Sequence, residues 1–264
     1  LDPATRLHHT KRVRMIARSF RKKPGLGSLL VVAALACTAS ALPASTSAAT
    51  ENPPAAAPAA VPAQAKPKPR AVLPAPVEKW RIIDSQSGPV NYYTVQREAE
   101  RAFIRGSYQP PHKKAVLGFE VPESSRGRMH KLEWSWRAIQ LPEKADECNS
   151  KKGDSPAVVY VTWRRTLRWY TLKFVWSASR PPGTICDRRR NAFVAQDTVV
   201  LQSGAPLGVW KHESVDLVQL FRKHFEDGDQ DADVPPLIGL GVMTDGDQTK
   251  TASTGDYADF VLSQ

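Results

Sequence analysis

From residue 80 onward, apolar residues recur at every second position in short runs closed by Gly, Pro, Asp or Ser. A period of two sends alternate side chains to opposite faces of a strand. The pattern predicts strands over 92–96, 115–121, 131–140, 157–164, 169–177, 193–201, 208–213, 237–244 and 257–262. Within 131–140, Leu132, Trp134, Trp136 and Ala138 share one face, and Glu133, Ser135 and Arg137 the other. Within 169–177, Tyr170, Leu172, Phe174 and Trp176 lie together. Over 214–226 the period changes, and Val215, Leu217, Val218 and Phe221 fit one face of a helix. Nine strands and a short helix predict an all-β domain over 80–264, a two-sheet β-sandwich. No internal repeat is visible.

The pattern before residue 80 is of another kind. Residues 1–14 precede the first methionine, Met15, and read as an upstream extension. Residues 15–41 read as a secretory signal peptide: Arg18, Arg21, Lys22 and Lys23 lead into an apolar run of signal length that is short for a membrane span. Ala39-Ser40-Ala41 offers a small-x-small cleavage site and Ser47-Ala48-Ala49 a second one; a retained anchor is the alternative. Ala34-Leu35-Ala36-Cys37 resembles a lipobox with two positions exchanged, so Cys37 is either a lipidation site or an apolar residue that leaves with the signal. Residues 42–79 hold 21 Ala or Pro in 38 positions, a composition that favours extended polyproline geometry and predicts a disordered tether. The whole implies a bacterial protein exported to the periplasm, outer membrane or cell surface, meeting membrane only through its leader or Cys37.

Charge follows the same division. The chain has a formal net charge of +11, but residues 1–25 alone carry +7 and residues 80–264 only +2. The basicity belongs mostly to the leader, which excludes a general nucleic-acid binder. Cys148 and Cys186 remain after signal removal, and in an exported domain two cysteines in loops are expected to pair, free thiols being the alternative. Closing a loop of about 37 residues stabilises by roughly 3–4 kcal/mol in the chain-entropy account.

Familiar enzyme signatures are missing. There is no G-x-S-x-G elbow or Walker loop, and His212-Glu213 reaches Asp216 where a zinc protease needs histidine. His112, His130, His212 and His224 show no close ligand spacing. Asp227, Asp229, Asp231 and Asp233 alternate as in a calcium loop, but Ala232 and Ile238 break the EF-hand pattern and leave a solvated acidic turn. Asp245 and Asp247 follow a strand, and Asp259 sits in the last one. If those strands are neighbours, the three aspartates could hold calcium; ordinary turn capping is the alternative. All seven tryptophans fall within 80–210, and such rings pack cores or stack on sugars. Trp163 and Trp169, flanked by Arg164, Arg165 and Arg168, are the candidates for exposure.

The blocks Leu132-Glu-Trp134-Ser-Trp136-Arg137, Gly153-Asp154, Gly208-Val-Trp210, Thr244-Asp245-Gly-Asp247-Gln-Thr249 and Tyr257-Ala-Asp259-Phe260, in this order, resemble the bacterial domain-of-unknown-function family 3047. The resemblance implies an exported single domain and carries no established activity. The spacing of the last blocks is similar to that of jelly-roll carbohydrate-binding modules, which implies a jelly-roll sandwich. The family pattern has two aspartates where Gly153-Asp154 stands, arginine at Val158, asparagine at Gln248 and glycine at Ala258. Its retained members, Trp136, Arg137, Asp154 and Thr249 as ligand contacts and Asp245, Asp247 and Asp259 as metal ligands, define the expected site. The leading expectation is a monomeric, non-catalytic module for a glycan or envelope polymer, assisted by calcium. A polysaccharide hydrolase or lyase using Glu133 and Asp154, and a structural envelope protein making protein contacts, are the alternatives.

Overall fold

The computed structural model describes residues 71–85 and 91–264. The expected upstream extension, signal peptide and lipobox cysteine, with the tether up to residue 70, lie outside the described residues. In chain order the strands are Val72–Pro74 (β1), Arg81–Ser85 (β2), Tyr93–Glu98 (β3), Arg101–Tyr108 (β4), Ala115–Glu120 (β5), Lys131–Gln140 (β6), Ala157–Arg165 (β7), Arg168–Ser177 (β8), Ile185–Arg190 (β9), Val194–Ser203 (β10), Lys211–Asp216 (β11), Leu237–Met243 (β12) and Ser253–Ser263 (β13). The one α-helix among the described residues, Leu217–Phe225 (α1), follows β11 directly. Residues 214–216, expected as the start of this helix, extend β11 instead, and Asp216 caps the helix by accepting the Gln219 N–H at 2.9 Å.

The strands form two sheets. One runs β11-β6-β13-β4-β3, and the other β2-β5-β12-β7-β8-β10-β9. Consecutive strands β4, β5, β6 and β7 alternate between the sheets, as do β10, β11, β12 and β13. That alternation makes the domain a jelly-roll β-sandwich. Pairing is antiparallel throughout except between β8 and β10.

The core lies between the sheets, where the inward faces of the period-two strands meet. Leu132, Trp134 and Trp136 of β6 lie there with Leu172, Phe174 and Trp176 of β8. Trp134 stacks on Phe174 at 5.6 Å and Trp136 meets Trp176 edge-on at 6.0 Å. The helix closes one part of this core, bringing Phe221 to 5.4 Å from Trp163 and 5.1 Å from Tyr170. Trp163 is therefore buried, not exposed; its cover arrives some 58 residues later in the chain, beyond the reach of local pattern.

The expected tether ends sooner than residue 79. Val72–Pro74 pairs with β13, and Ala75 and Val77 are buried. β13 explains why: β4 pairs it only as far as Ala258, and β1 takes over alongside Val261–Ser263. Cys148 and Cys186 form a disulfide with Cα atoms 5.1 Å apart, but Cys186 lies in β9 rather than in a loop. No helix among the described residues is long and apolar enough to cross a membrane.

Candidate functional site

Three places collect the residues singled out by sequence. The first is a carboxylate trio where the loop after β12 meets the loop before β7. Asp154, Asp245 and Asp247 each offer an oxygen, and these oxygens lie within 4.8 Å of one another. Local structure fixes them. Asp245 accepts the Asp247 N–H at 3.1 Å, and its own N–H donates to the Ser155 carbonyl at 2.9 Å. Asp154 accepts the N–H groups of Gln248 at 3.1 Å and Thr249 at 2.6 Å, tying the two loops together. Gly246 permits this turn, since a Cβ there would lie 2.1 Å from the Thr251 carbonyl oxygen.

Burial, then the like charges of Asp154 and Asp247, push the Asp245 carboxyl up to about 6, and Lys173 offsets this in part. Two of the four family departures touch here: the Gly153 N–H donates to the Gln248 side-chain oxygen. Thr249 thus joins the trio through its backbone, while its hydroxyl meets that of Thr251 at 2.8 Å.

Asp259 does not join them. It sits in a bulge of β13 at φ +56° and pairs with Arg101 at 3.1 Å. The trio lies by the Ser253 end of that strand, about 20 Å away at ~3.3 Å per residue. The expectation rested on neighbouring strands, but β13 is 11 residues long and meets the trio at Ser253 rather than at Asp259.

The second place is the outer face of the six-stranded sheet, where Arg137 is committed to structure. Its Nε donates to Asp256 at 2.7 Å, and its other end pairs with Glu98 at 2.8 Å. Arg105 grips the same fully buried Asp256 with two bonds of 2.7 Å. The Arg137 guanidinium also lies 4.4 Å over the Trp210 ring. Hydrogen bonding to Arg137 holds the Glu98 carboxyl below its ordinary range. Trp136, expected as a ligand contact, is fully buried and donates its Nε1–H to Glu213 at 3.0 Å. Period-two alternation puts Trp136 inward and Arg137 outward, so the pair cannot face one ligand. Glu133 and Asp154 do not face each other either: Glu133 is held by Lys131 at 3.0 Å on this outer face, while Asp154 is turned into backbone N–H groups.

The third place was not anticipated. Leu117, Leu240, Val161 and Leu172 point into the core, so their neighbours line the opposite face of the seven-stranded sheet. There a groove of about 840 Å³ crosses the strands. Gly118 and Gly241 stand directly opposite each other on β5 and β12, with Gly239 beside them, and the missing side chain of Gly118 lets Ile83 of β2 lie across β5. Tyr160, Thr162 and Thr171 line its middle, and Trp169 and Gln196 one end. Trp169 is 38% exposed, and the Arg164 guanidinium 4.8 Å over its ring fixes the ring plane. Glycines alternating inside a strand were the available signal, because such positions mark close approach of a ligand or backbone. The trio does not line this groove.

Fold and groove together define a jelly-roll sandwich with an open cleft across one sheet. The chain belongs to the family described as protein of unknown function (DUF3047), which matches residues 78–261. No curated protein matches it. Among solved structures it is similar to the xyloglucanase domain of NopAA, a type three effector from Sinorhizobium fredii, with 10% identity, 74% of this chain and 98% of that chain covered, and a TM-score of 0.39. It is also similar to endoglucanase 3 of Trichoderma harzianum (11%, 74%, 94%, 0.39). A third is a family 11 carbohydrate-binding module from Clostridium thermocellum (9%, 69%, 94%, 0.28).

Proposed function

We propose that this protein is an exported glycan-binding module that holds a polysaccharide in the groove of the seven-stranded sheet. The observation that carries the reading is the groove's lining: an exposed, oriented Trp169, the ring of Tyr160, and hydroxyl and amide groups from Thr162, Thr171 and Gln196. Aromatic faces stack on the apolar faces of sugar rings, and hydroxyls and amides match their edges. The disulfide is compatible with an oxidising compartment outside the cytoplasm.

The groove favours binding over hydrolysis. Glycosidases need two carboxyl groups roughly 5–10 Å apart across the scissile bond. The described groove lining includes one, Glu120, and it is tied to Arg126 at 2.6 Å.

Calcium belongs to the proposal as a structural ion of the trio, away from the groove. Asp154, Asp245 and Asp247 supply the all-oxygen donors a hard cation takes, and a cation would relieve the crowding that raises Asp245. Backbone carbonyls or water would complete its shell. Asp259 has no part in it.

The test is affinity electrophoresis of the purified protein through gels carrying single polysaccharides, with calcium and with chelator. Retardation in at least one gel is expected. Migration unaffected by every polysaccharide, in both conditions, contradicts the reading.

A further inference from the structure

Basic side chains gather along one end of the groove. At the end formed by β2 and β5, Lys79, Arg81 and Lys114 line it. Among the described residues no carboxylate forms an ion pair with these three. Arg81 spends one nitrogen on the carbonyls of Glu78 and Trp80, at 2.6 and 2.8 Å, which braces the side chain and leaves its charge uncompensated. Glu120, the carboxylate of the lining, is neutralised by Arg126. The opposite end, formed by β8 and β10, presents Trp169 and Gln196, with the Arg164 guanidinium laid against the Trp169 ring and its Nε spent on the Thr166 carbonyl at 2.9 Å. Four strand spacings separate β8 from β2, about 19 Å at ~4.8 Å each, so a ligand lying across the strands meets the aromatic end and the cationic end at different units.

Resting on the glycan reading, we infer that the groove selects an acidic polysaccharide, with a sugar face on Trp169 and anionic groups at Lys79, Arg81 and Lys114. The rest of the domain argues that this is local design rather than general basicity. Residues 79–264 carry a net charge of only +3, so three uncompensated cations on one rim are a concentration of charge. The chain's own Pro/Ala segment is a poor occupant, because Lys66, Lys68 and Arg70 bring charge of the same sign as the rim. Carboxylate, sulfate and phosphate share the required chemistry, and the rim geometry does not separate them.

The experiment measures binding of the purified protein to polygalacturonate, to a sulfated galactan and to a phosphate-bearing wall teichoic acid. Carboxyl-reduced polygalacturonate, mixed-linked β-glucan and xylan serve as neutral partners. The inference expects at least one acidic polymer to bind about tenfold tighter than the neutral ones, the preference shrinking as salt rises from about 50 to 300 mM. Lys79→Gln with Lys114→Gln should remove that preference and leave neutral binding in place. Trp169→Ala should weaken binding of acidic and neutral polymers alike, and Arg188→Gln, away from the groove, should change neither. Equal, salt-insensitive binding of acidic and neutral polymers overturns the inference and leaves the glycan reading standing. Acidic preference that survives the double Lys substitution also overturns it. Binding to no polymer overturns both.

Discussion

Asp256 of β13 and Arg137 of β6 meet across the outer face of the six-stranded sheet, Nε to Oδ2 at 2.7 Å, with no part of the aspartate exposed. A buried carboxylate needs its partners, but Arg105 keeps two bonds to Asp256 when Arg137 is lost, so the cost is that of the missing charge-assisted hydrogen bonds, about 1.5–3 kcal/mol, and not that of a stranded charge. Arg137→Ala should therefore lower stability in chemical denaturation by about 1.5–3 kcal/mol while leaving glycan retention of the folded protein intact. Loss of retention in a folded Arg137→Ala protein would return this residue to the binding site.

The trio gives a metal prediction. Calcium should raise the melting temperature of the wild type, and Asp245→Asn with Asp247→Asn should abolish the rise. Asp259→Asn should keep it, since that residue pairs with Arg101 in a distant bulge. A calcium response that survives the first pair of substitutions contradicts the assignment.

Proton linkage at the trio has a definite sign. In metal-free protein the folded state raises the Asp245 carboxyl to about 6, above its unfolded value near 4. The folded protein thus holds a proton that the unfolded chain has lost. The contribution is full below about pH 4 and is lost as pH rises toward 6, on the order of 2–3 kcal/mol. Glu147, also raised by burial, acts in the same direction. Denaturation in chelator from pH 4 to 7 should show this decline, and Asp245→Asn should flatten it. A slope of opposite sign in the wild type would refute the account of the trio.

The disulfide between Cys148 and Cys186 ties the loop after β6 to β9. Replacing both with serine should cost about 3–4 kcal/mol of stability in the chain-entropy account. The folded variant should still bind glycan, because neither cysteine lines the groove.

Much of the fold was legible because period-two alternation survives wherever one face is buried. Strand β6 is the clear case: Leu132, Trp134 and Trp136 all lie inward as the pattern implied. Strand β4 escaped because its outer face carries Arg101, Phe103 and Arg105, whose partners Asp259, Trp210 and Asp256 come far later in the chain. The site was legible in part. Asp245 and Asp247 share a turn, so their proximity is local, and Asp154 joins them through the amides of Gln248 and Thr249. Asp259 was misplaced because spacing along a strand does not say which end meets a neighbour. The groove was hidden for another reason: its lining comes from β2, β5, β12, β7, β8 and β10, which only the pairing of the sheet brings side by side.

The central claim is that glycan binds the face carrying Trp169. The most direct test compares two single substitutions on opposite faces of the sandwich, Trp169→Ala and Trp210→Ala, in affinity electrophoresis against a polysaccharide that retards the wild type. The account predicts at least a tenfold loss of affinity for folded Trp169→Ala and near-wild-type retention for Trp210→Ala, whose ring lies by Arg137 on the other sheet. Retention that persists in Trp169→Ala and disappears in Trp210→Ala would move the binding face to the six-stranded sheet and contradict the account.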